Sequence, residues 1–447
     1  MKRRMAFLFL LGVVVFPGLG APARAAAQPN GIIVRVNNRV VLQGVCVVLP
    51  CSIVEGMDGT LGQAFLVTPV GATPATTLLA ELLGTVGRLL GVLDAELDQT
   101  LSLINLNIGP LSPPGALSQS SLVPYHGTSV WQGYASQPAV ALIRLQTAQG
   151  SFNTGSGVVA DIDTGVDPRQ PAFGGTLLPG YDFTRNKNGG DETQDINGGQ
   201  RLDVTSGATS EAQINESTAA VVNGGGSSVL SQPQYAGFGH GTMVSGIIHL
   251  VAPSARIMPL KAFGANGQAQ LSNVLRAIYY GTQHGAKVLN MSFDLKTNST
   301  ELAKALSYAS GQGVVSVASV GNDGKQVDVY PAGLASVMGI ASTSDQDTLS
   351  SFSNYGEPPV WVGAPGEGIV SPYPYGTYAS GWGTSFSAPF ASGTVAVMLG
   401  VASSSLNQQT AAQAASNAVN IGDARVGHGR LDAYLAVLAW CQAAGKC

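Results

Sequence analysis

The stretch VVADIDTGVD, residues 158–167, joins an apolar, β-branched run to a Thr-Gly turn and carries three aspartates. Such a run predicts a buried strand that ends in a turn. Asp163 is the last strand residue, so its carboxylate should emerge at the carboxyl edge of the sheet. Asp161 points to the same face, about 6 to 7 Å further back, whereas Asp167 lies beyond the turn and is expected at the surface. A carboxylate that orients a histidine must be fixed and shielded from water, which favours Asp163.

Strand-like runs alternate with helix-like segments along most of the chain. Because the strand-like runs are apolar on both faces, they predict strands covered on both sides. The alternation predicts an α/β fold with a mainly parallel sheet, whose functional residues gather at the carboxyl ends of strands. The strand candidates are GSGVVADID, ARIMPLKAF, AKVLNMSF, GVVSVASVG and SVMGIAST, and the helix candidates include QLSNVLRAIYYGTQHG and NSTELAKALSYAS.

The composition and the first residues of the chain limit the class of protein. With 447 residues, 45% hydrophobic and 11% charged, the chain is globular, and its net charge of -4 gives no basic surface for nucleic acid or an anionic membrane. Lys2, Arg3 and Arg4 precede an apolar run and small residues that end near Ala25, which predicts a signal peptide over 1–25. We therefore expect a secreted protein, extracellular or periplasmic, with no membrane association after signal removal.

Differences in composition and periodicity divide the chain into four segments after the signal peptide. Residues 29–107 predict a small α+β domain, and residues 108–122, rich in Pro, Gly and Ser, predict a linker or processing region. Residues 123–439 form the main domain, and 440–447 a cysteine-containing tail. The four cysteines permit three pairings, of which we favour two local loops, Cys46 with Cys51 and Cys441 with Cys447.

Two of the five histidines, His126 and His240, begin the tripeptide His-Gly-Thr. Only His240 is followed by a sustained apolar run that would seat the ring at a helix start. His126 follows the predicted linker and is the weaker candidate. Since a lone histidine more often has a structural role, His240 needs support from other motifs.

Ser385 lies in WGTSFSAPFASGTVAVMLG, residues 382–400, between a Gly-Thr turn and a helix-like run. This position puts its hydroxyl at a helix N-terminus, where backbone N–H groups favour developing negative charge. Ser387 stands where the Gly-x-Ser-x-Gly elbow requires glycine. Taken alone, Ser385 would be interpreted as a helix cap.

Together the motifs are specific. Asp-Thr-Gly at 163–165, His-Gly-Thr-Met-Val-Ser-Gly at 240–246 and Gly-Thr-Ser-Phe-Ser-Ala-Pro at 383–389 resemble, in this order, the signature motifs of the subtilases, the subtilisin-like serine endopeptidases. The resemblance covers about 123–439. It implies a three-layer subtilisin-like fold and peptide-bond hydrolysis through an acyl-enzyme, with Asp163, His240 and Ser385 as the triad.

The same resemblance implies further roles. Asn322 in SVASVGNDG would complete the oxyanion hole, and Ser292, Phe293 and Asp294 would form the strip that pairs with an extended substrate. Residues 29–107 resemble the subtilase propeptide, chiefly in GIIVRVNN and LLGVLDAELDQTLSL. The implied partners are protein or peptide substrates and this propeptide, an intramolecular inhibitor removed when the zymogen processes itself near 108–122. No cofactor is implied for the chemistry.

Two positions depart from the family pattern. Asp294 replaces a glycine, which puts the primary specificity pocket in doubt. Asp161 stands where the family is usually apolar. Repulsion between its charge and that of Asp163 would raise the proton affinity of the pair; the alternative, which we favour, is a basic or hydrogen-bonding partner from the segment 184–238, which we interpret as a surface insertion. Within that insertion Asn186, Asn188, Asp191, Asp195 and Asn197 offer oxygen ligands for a structural calcium, but their spacing is not that of an EF-hand, and a solvated polar loop is the alternative.

Two rival functions remain open. A sedolisin would share the fold and the serine motif but use Glu and Asp at acidic pH, and His240 in its full motif argues against it. A catalytically silent or permanently self-inhibited subtilase-like binding protein is the second rival. Every catalytic position is filled, which favours the enzyme.

Overall fold

The computed structural model describes residues 31–103, 113–196, 214–215, 220–222 and 233–447. The predicted signal peptide, the start of the predicted processing region and much of the predicted insertion lie outside these residues.

The N-terminal unit is a four-stranded sheet with helices packed on one face. Its strands follow period-two patterning: Ile32 and Val34 face the unit's own helices, whereas Ile33 faces the larger unit. The elements are β1 (Ile32–Val36), α1 (Arg39–Val48), β2 (Cys51–Gly56), β3 (Ala64–Pro69), α2 (Ala75–Leu83), α3 (Thr85–Leu89) and β4 (Val92–Leu97). The sheet order is β2-β3-β1-β4, with antiparallel pairing throughout.

A short strand, β5 (Thr100–Ser102), leaves the N-terminal unit and pairs with the larger unit. The elements of the larger unit are β6 (Leu122–Tyr125), β7 (Thr128–Trp131), α4 (Gln132–Ala135), α5 (Pro138–Leu142), α6 (Leu145–Ser151), β8 (Val158–Asp163), β9 (Tyr181–Asp182), β10 (Lys187–Asn188), β11 (Ile214–Asn215), β12 (Ala220–Val222), α7 (His240–Val251), β13 (Arg256–Lys261), β14 (Gln268–Gln270), α8 (Leu271–Gln283), β15 (Val288–Met291), α9 (Thr300–Gly311), β16 (Val315–Ser319), β17 (Met338–Thr343), β18 (Val362–Pro365), β19 (Ile369–Tyr373), β20 (Thr377–Gly381), α10 (Thr384–Val401), α11 (Gln408–Ala415) and α12 (Ala433–Ala443).

Within the described residues, the central sheet has eight strands in the order β10-β9-β13-β8-β15-β16-β17-β18, parallel except for the β10–β9 pair. Alternate residues of β8 enter opposite cores: Val159 packs on the side of α7 and α10, whereas Ala160 and Ile162 pack on the side of α8 and α9. The prediction of a three-layer α/β fold with a mainly parallel sheet is therefore confirmed.

Helix α10 follows from a run of apolar and small residues that no charge interrupts. By length and composition it could cross a membrane, but 89% of it is buried inside the fold, where it packs against α7, α12 and the sheet. Its role in this fold is that of a core helix, and its first turn carries Ser385.

The cysteines form two local disulfides, as predicted. Cys46 pairs with Cys51 across the α1–β2 connection, with Cα atoms 4.8 Å apart. Cys441 pairs with Cys447 at the end of α12, with Cα atoms 5.4 Å apart.

Candidate active site

Asp163 and His240 meet at the carboxyl edge of the sheet, because β8 ends at the first and α7 begins at the second. The Nδ1 atom of His240 lies 2.7 and 2.8 Å from the two carboxylate oxygens of Asp163, and each residue is at most 1% exposed. An ionised carboxylate can only accept, so Nδ1 must carry the hydrogen. With Nδ1 turned to Asp163, Nε2 is the ring nitrogen on the opposite side, available to exchange a proton.

The glycines of the two motifs allow this close approach. Gly165 has φ +96°, a conformation that favours glycine. A Cβ atom on Gly241 would lie 2.1 Å from the carbonyl oxygen of Gly165. Since the Gly241 amide also donates to Thr164 Oγ1 at 2.9 Å, the Asp-Thr-Gly turn packs directly on the first turn of α7.

Glu192 also holds this junction, a role that no sequence motif indicated. Its carboxyl accepts from the Gly239 amide at 2.9 Å, from the Thr242 amide at 3.2 Å and from Thr164 Oγ1 at 2.9 Å. An acidic group is favourable at a helix N-terminus, but complete burial raises the pKa of Glu192 to about 8. Glu192 belongs to the segment 184–238, which we interpreted from the sequence as a surface insertion. The low periodicity of that segment does not indicate that any of its residues is buried.

Ser385 lies in the first turn of α10. That turn packs against His240 through the next residue, Phe386, whose ring centroid is 5.7 Å from that of the His240 ring. The Ser385 hydroxyl donates to the carbonyl of Ser292 at 3.1 Å, and Ser292 Oγ donates to the carbonyl of Ser385 at 2.9 Å. His240 Nε2 is buried and has no hydrogen-bond partner within the part of the chain that the structure describes. The structure thus brings the first turn of α10 to His240 through Phe386, and it contains no Ser385–His240 hydrogen bond.

Asn322 is held next to Ser385 by Thr384, the residue that precedes the serine. Its amide oxygen accepts from the Thr384 amide at 2.8 Å and from Thr384 Oγ1 at 3.0 Å. Because both donors fix Oδ1, the amide nitrogen must face the other way and can donate.

The strip Ser292-Phe293-Asp294 follows β15. At Phe293 only the backbone is available to a ligand, because the side chain is buried. Its ring centroid lies 5.2 Å from that of Phe263. Asp294 forms an antiparallel bridge with Ser102, at the end of β5. Burial, with a smaller contribution from Asp323, raises the pKa of Asp294 to about 6. Its carboxyl lies against Gly321, so that a Cβ there would be 3.1 Å from Asp294 Oδ2; the side chain fills space that glycine would leave open.

The structure bears on three sequence-based expectations, which concern Asp167, His126 and Asp161. The expectation of an exposed Asp167 is wrong: the residue is buried, and its carboxylate accepts from the Tyr375 amide at 2.7 Å and the Arg169 amide at 2.9 Å. His126, the weaker histidine candidate, is exposed in the turn between β6 and β7, with φ +43°. The expectation that the insertion supplies the partner of Asp161 is wrong: its hydrogen-bond partners are Ser245 on α7 and Asn290 on β15.

Three of the five residues considered as calcium ligands, Asn186, Asp191 and Asp195, have other partners, and Asn186 accepts from Tyr181 at 2.9 Å. Asp195 is bound by Arg185 and by Lys261, and Asp191 accepts from Thr193 at 2.9 Å. Among the described residues, no three His, Cys, Asp or Glu side chains form a group that could hold a metal ion, and Asn197 lies outside those residues.

A buried acid that orients a histidine, beside a serine at a helix start and an amide donor, is the arrangement of a serine hydrolase. Comparison with known proteins gives the family. Residues 155–429 match the subtilase family. Over 294 residues the chain is 30% identical to thermitase from Thermoactinomyces vulgaris, covering 63% of this chain and 89% of thermitase.

A thermophilic serine proteinase from Bacillus sp. strain AK1 is 30% identical over 281 residues, which cover 62% of this chain and 61% of that protein. The fold matches fervidolysin from Fervidobacterium pennivorans, a keratinolytic enzyme related to subtilisin, with a TM-score of 0.66 and 20% identity over 92% of this chain and 61% of that structure. The chain thus spans less than two thirds of these two proteins. It belongs to the subtilase family, as the three motifs predicted.

Proposed function

We propose that the protein is a secreted serine endopeptidase, made as a self-processed zymogen, in which Ser385 is the nucleophile, His240 the general base and then acid, and Asp163 the orienting group. The observation that carries this proposal is the buried Asp163–His240 pair, with both carboxylate oxygens within 2.8 Å of Nδ1. In the proposed mechanism the Ser385 hydroxyl leaves the Ser292 carbonyl and donates to Nε2, which has no hydrogen-bond partner among the described residues. Hydrogen bonds of this kind often tighten only when substrate is bound.

The oxyanion of the tetrahedral intermediate would form between the Ser385 amide and Asn322. Support comes from the two Thr384 hydrogen bonds that fix the Asn322 amide oxygen, since they leave its N–H₂ group preorganised to donate. In subtilisin, loss of such a donor costs roughly 100- to 1000-fold in turnover, and we expect a loss of the same order here.

Substrate would bind as an extended strand between β14 and the strip Ser292-Phe293-Asp294, by β-augmentation. The support is β5, which already lies in this position: it pairs with β14 in antiparallel register and reaches Asp294 through Ser102. The side chains of Leu101 and Leu103 are buried in the larger unit's core. The N-terminal unit would thus inhibit the enzyme as a substrate-like strand, with the processing site beyond residue 103 and before about 122.

Two acidic residues of β4 and its continuation support the inhibitor role. Asp98 accepts from the Ser272 amide at 2.8 Å and from its hydroxyl at 2.7 Å, at the N-terminus of α8. Glu96 accepts from Ser299 Oγ at 2.6 Å and from the Thr300 amide at 3.2 Å, at the N-terminus of α9. These bonds satisfy helix-end donors and place negative charge where the helix dipoles favour it.

A buried ion pair joins the same surfaces. The Arg35 guanidinium approaches the Glu301 carboxylate to 2.5 Å, with side chains 11% and 1% exposed. Fork-like pairing of Arg with a carboxylate adds geometric specificity, so the N-terminal unit is docked in one orientation that directs β5 into the cleft.

The proposed chemistry uses only side chains and backbone groups of the protein. Secretion is supported by the signal-peptide pattern of residues 1–25 and by the two disulfides, which form and persist in oxidising compartments.

The pH profile of peptide hydrolysis tests the proposed base. A histidine base must be unprotonated, so kcat/KM is expected to fall roughly tenfold per pH unit below about pH 6, where histidine side chains ordinarily gain a proton. The assay uses a fluorogenic peptide and the processed protein, with fluorescence to check that it stays folded and recovery of activity at pH 7.5 as the control. A maximum at pH 3 to 4 would support a sedolisin-type acid mechanism instead.

Asp98→Ala tests the inhibitor role. The variant loses two charge-assisted hydrogen bonds to one carboxyl, together taken as about 1.5–3 kcal/mol, so the cleaved N-terminal unit should dissociate roughly 10- to 100-fold faster. The measurement is the rate at which activity appears after the purified complex is diluted. Asp94→Ala is the matched control, because its partner Lys304 is 39% exposed and surface pairs contribute little. Equal release rates for the two variants would contradict the role assigned to Asp98.

A further inference from the structure

Asp161 is the centre of a buried polar network next to the proposed triad. It is 1% exposed, and its carboxyl oxygens lie 2.7 Å from Ser245 Oγ and 3.0 Å from Asn290 Nδ2. Ser245 is on α7, the helix that begins with His240. Asn290 is the residue of β15 paired with Asp161 in the sheet.

From Asn290 the network reaches the nucleophile helix. Its amide oxygen accepts from Ser392 Oγ at 2.8 Å, and its amide nitrogen lies 3.1 Å from Ser292 Oγ, which donates to the carbonyl of Ser385. Ser385 and Ser392 are both on α10. One buried carboxyl is thereby connected to the helices of both His240 and Ser385 and to the substrate strip.

No cation contacts Asp161 among the described residues. On its own strand lies Asp163, and Glu192 approaches from the loop before α7. On the neighbouring strand β13, the Lys261 ammonium is occupied by Asp195 and by the carbonyls of Thr164 and Phe263, each at 2.7 Å. The hydrogen-bond contacts of Asp161 come from α7 and β15 and are a neutral hydroxyl and a neutral amide group. Burial, and next the charge of Asp163, raise the pKa of Asp161 well above its usual range, although the Ser245 and Asn290 bonds oppose this.

We propose that Asp161 is a positioning residue that stays protonated at neutral pH and, through Ser245 and Asn290, aligns the helices that carry His240 and Ser385. Its neutrality leaves Asp163 as the nearest negative charge to His240. In this state one oxygen donates to Ser245 Oγ and the other accepts from Asn290 Nδ2. An asparagine amide reproduces the same donor and acceptor at the same two places. The inference rests on the proposed protease function.

The test compares Asp161→Asn with Asp161→Val. The asparagine variant should keep kcat and KM within about twofold of the wild type at pH 7.5, whereas valine breaks the network and should lower kcat about tenfold or more at nearly unchanged KM. Rates are normalised to the concentration of active sites, titrated with a fluorophosphonate. A smaller fraction of folded protein therefore does not lower the measured kcat. Wild-type protein that takes up no probe would overturn the protease function itself.

Two results would overturn the role of Asp161. One is an asparagine variant as impaired as the valine variant, because an ionised carboxylate would then be required. The other is a valine variant with unchanged kcat and KM, which would make the network merely structural.

Stability gives a second, independent readout, measured in a Ser385→Ala background to prevent self-digestion. Above about pH 4 the unfolded chain releases the proton of Asp161 while the folded protein retains it, so rising pH lowers wild-type stability until Asp161 itself ionises. Asparagine has no such proton. The melting temperature of Asp161→Asn minus that of the parent should therefore increase from pH 4 to pH 8, and a difference that does not change with pH would contradict the protonated state.

Discussion

Ser385→Ala is expected to abolish peptide hydrolysis and to leave the full-length precursor uncleaved. Without the hydroxyl no acyl-enzyme can form, and the loss in kcat should be roughly a millionfold, the size of the loss when subtilisin is deprived of its nucleophile. The measurements are hydrolysis of a fluorogenic peptide and the mass of the purified chain. Its fold should persist, because the Ser385 hydroxyl donates one hydrogen bond, to Ser292, in this structure.

Ser387→Ala is the matched control for this variant. Ser387 lies on the same helix, is buried, and has an Oγ atom with no hydrogen-bond partner among the described residues. Its removal should leave both self-processing and peptide hydrolysis within a few-fold of the wild type, since no hydrogen bond is lost with it. Full activity in Ser385→Ala would sink the proposed mechanism.

The second large effect is expected from Asp163→Asn, which should lower kcat by roughly 10⁴-fold while leaving the fold in place. An asparagine amide presented to Nδ1 favours the tautomer with hydrogen on Nε2, and that atom then cannot accept the serine proton. The variant and the wild type are compared by kcat at pH 7.5 on titrated protein.

Asp167→Asn is its control, since Asp167 is an equally buried aspartate beyond the same turn and bonds to Arg169 and Tyr375 rather than to the histidine. It is expected to reduce stability with less than tenfold loss of kcat. If the two variants lost activity equally, the effect would be a general one of buried aspartates at this turn, and Asp163 would have no special role.

The sheet could be predicted because its strands are short runs that are apolar on both faces. GSGVVADID, for example, contains β8 with its buried residues on both sides. The motifs also identified the residues that meet at the carboxyl edge, since parallel strands and the helices that follow them converge there.

The partners of the buried acids could not be predicted, because they come from distant parts of the chain. Asp167 accepts a hydrogen bond from the backbone amide of Tyr375, and Glu192 accepts from backbone amides at the start of helix α7. Asp161 finds Ser245 and Asn290 on two separate elements. Local pattern reports which face a residue occupies but not which donors the fold brings to it. The orientation of the Ser385 hydroxyl is likewise a rotamer choice that no sequence pattern encodes.

We claim that Ser385 is a nucleophile activated by the His240–Asp163 pair, and covalent labelling examines this at the reacting atom. The processed protein is treated with a fluorophosphonate, digested, and analysed by mass spectrometry. We expect a single adduct on the peptide that contains Ser385, formed at pH 7.5 and absent from Ser385→Ala. An unlabelled protein, or an adduct on another residue, would contradict the claim.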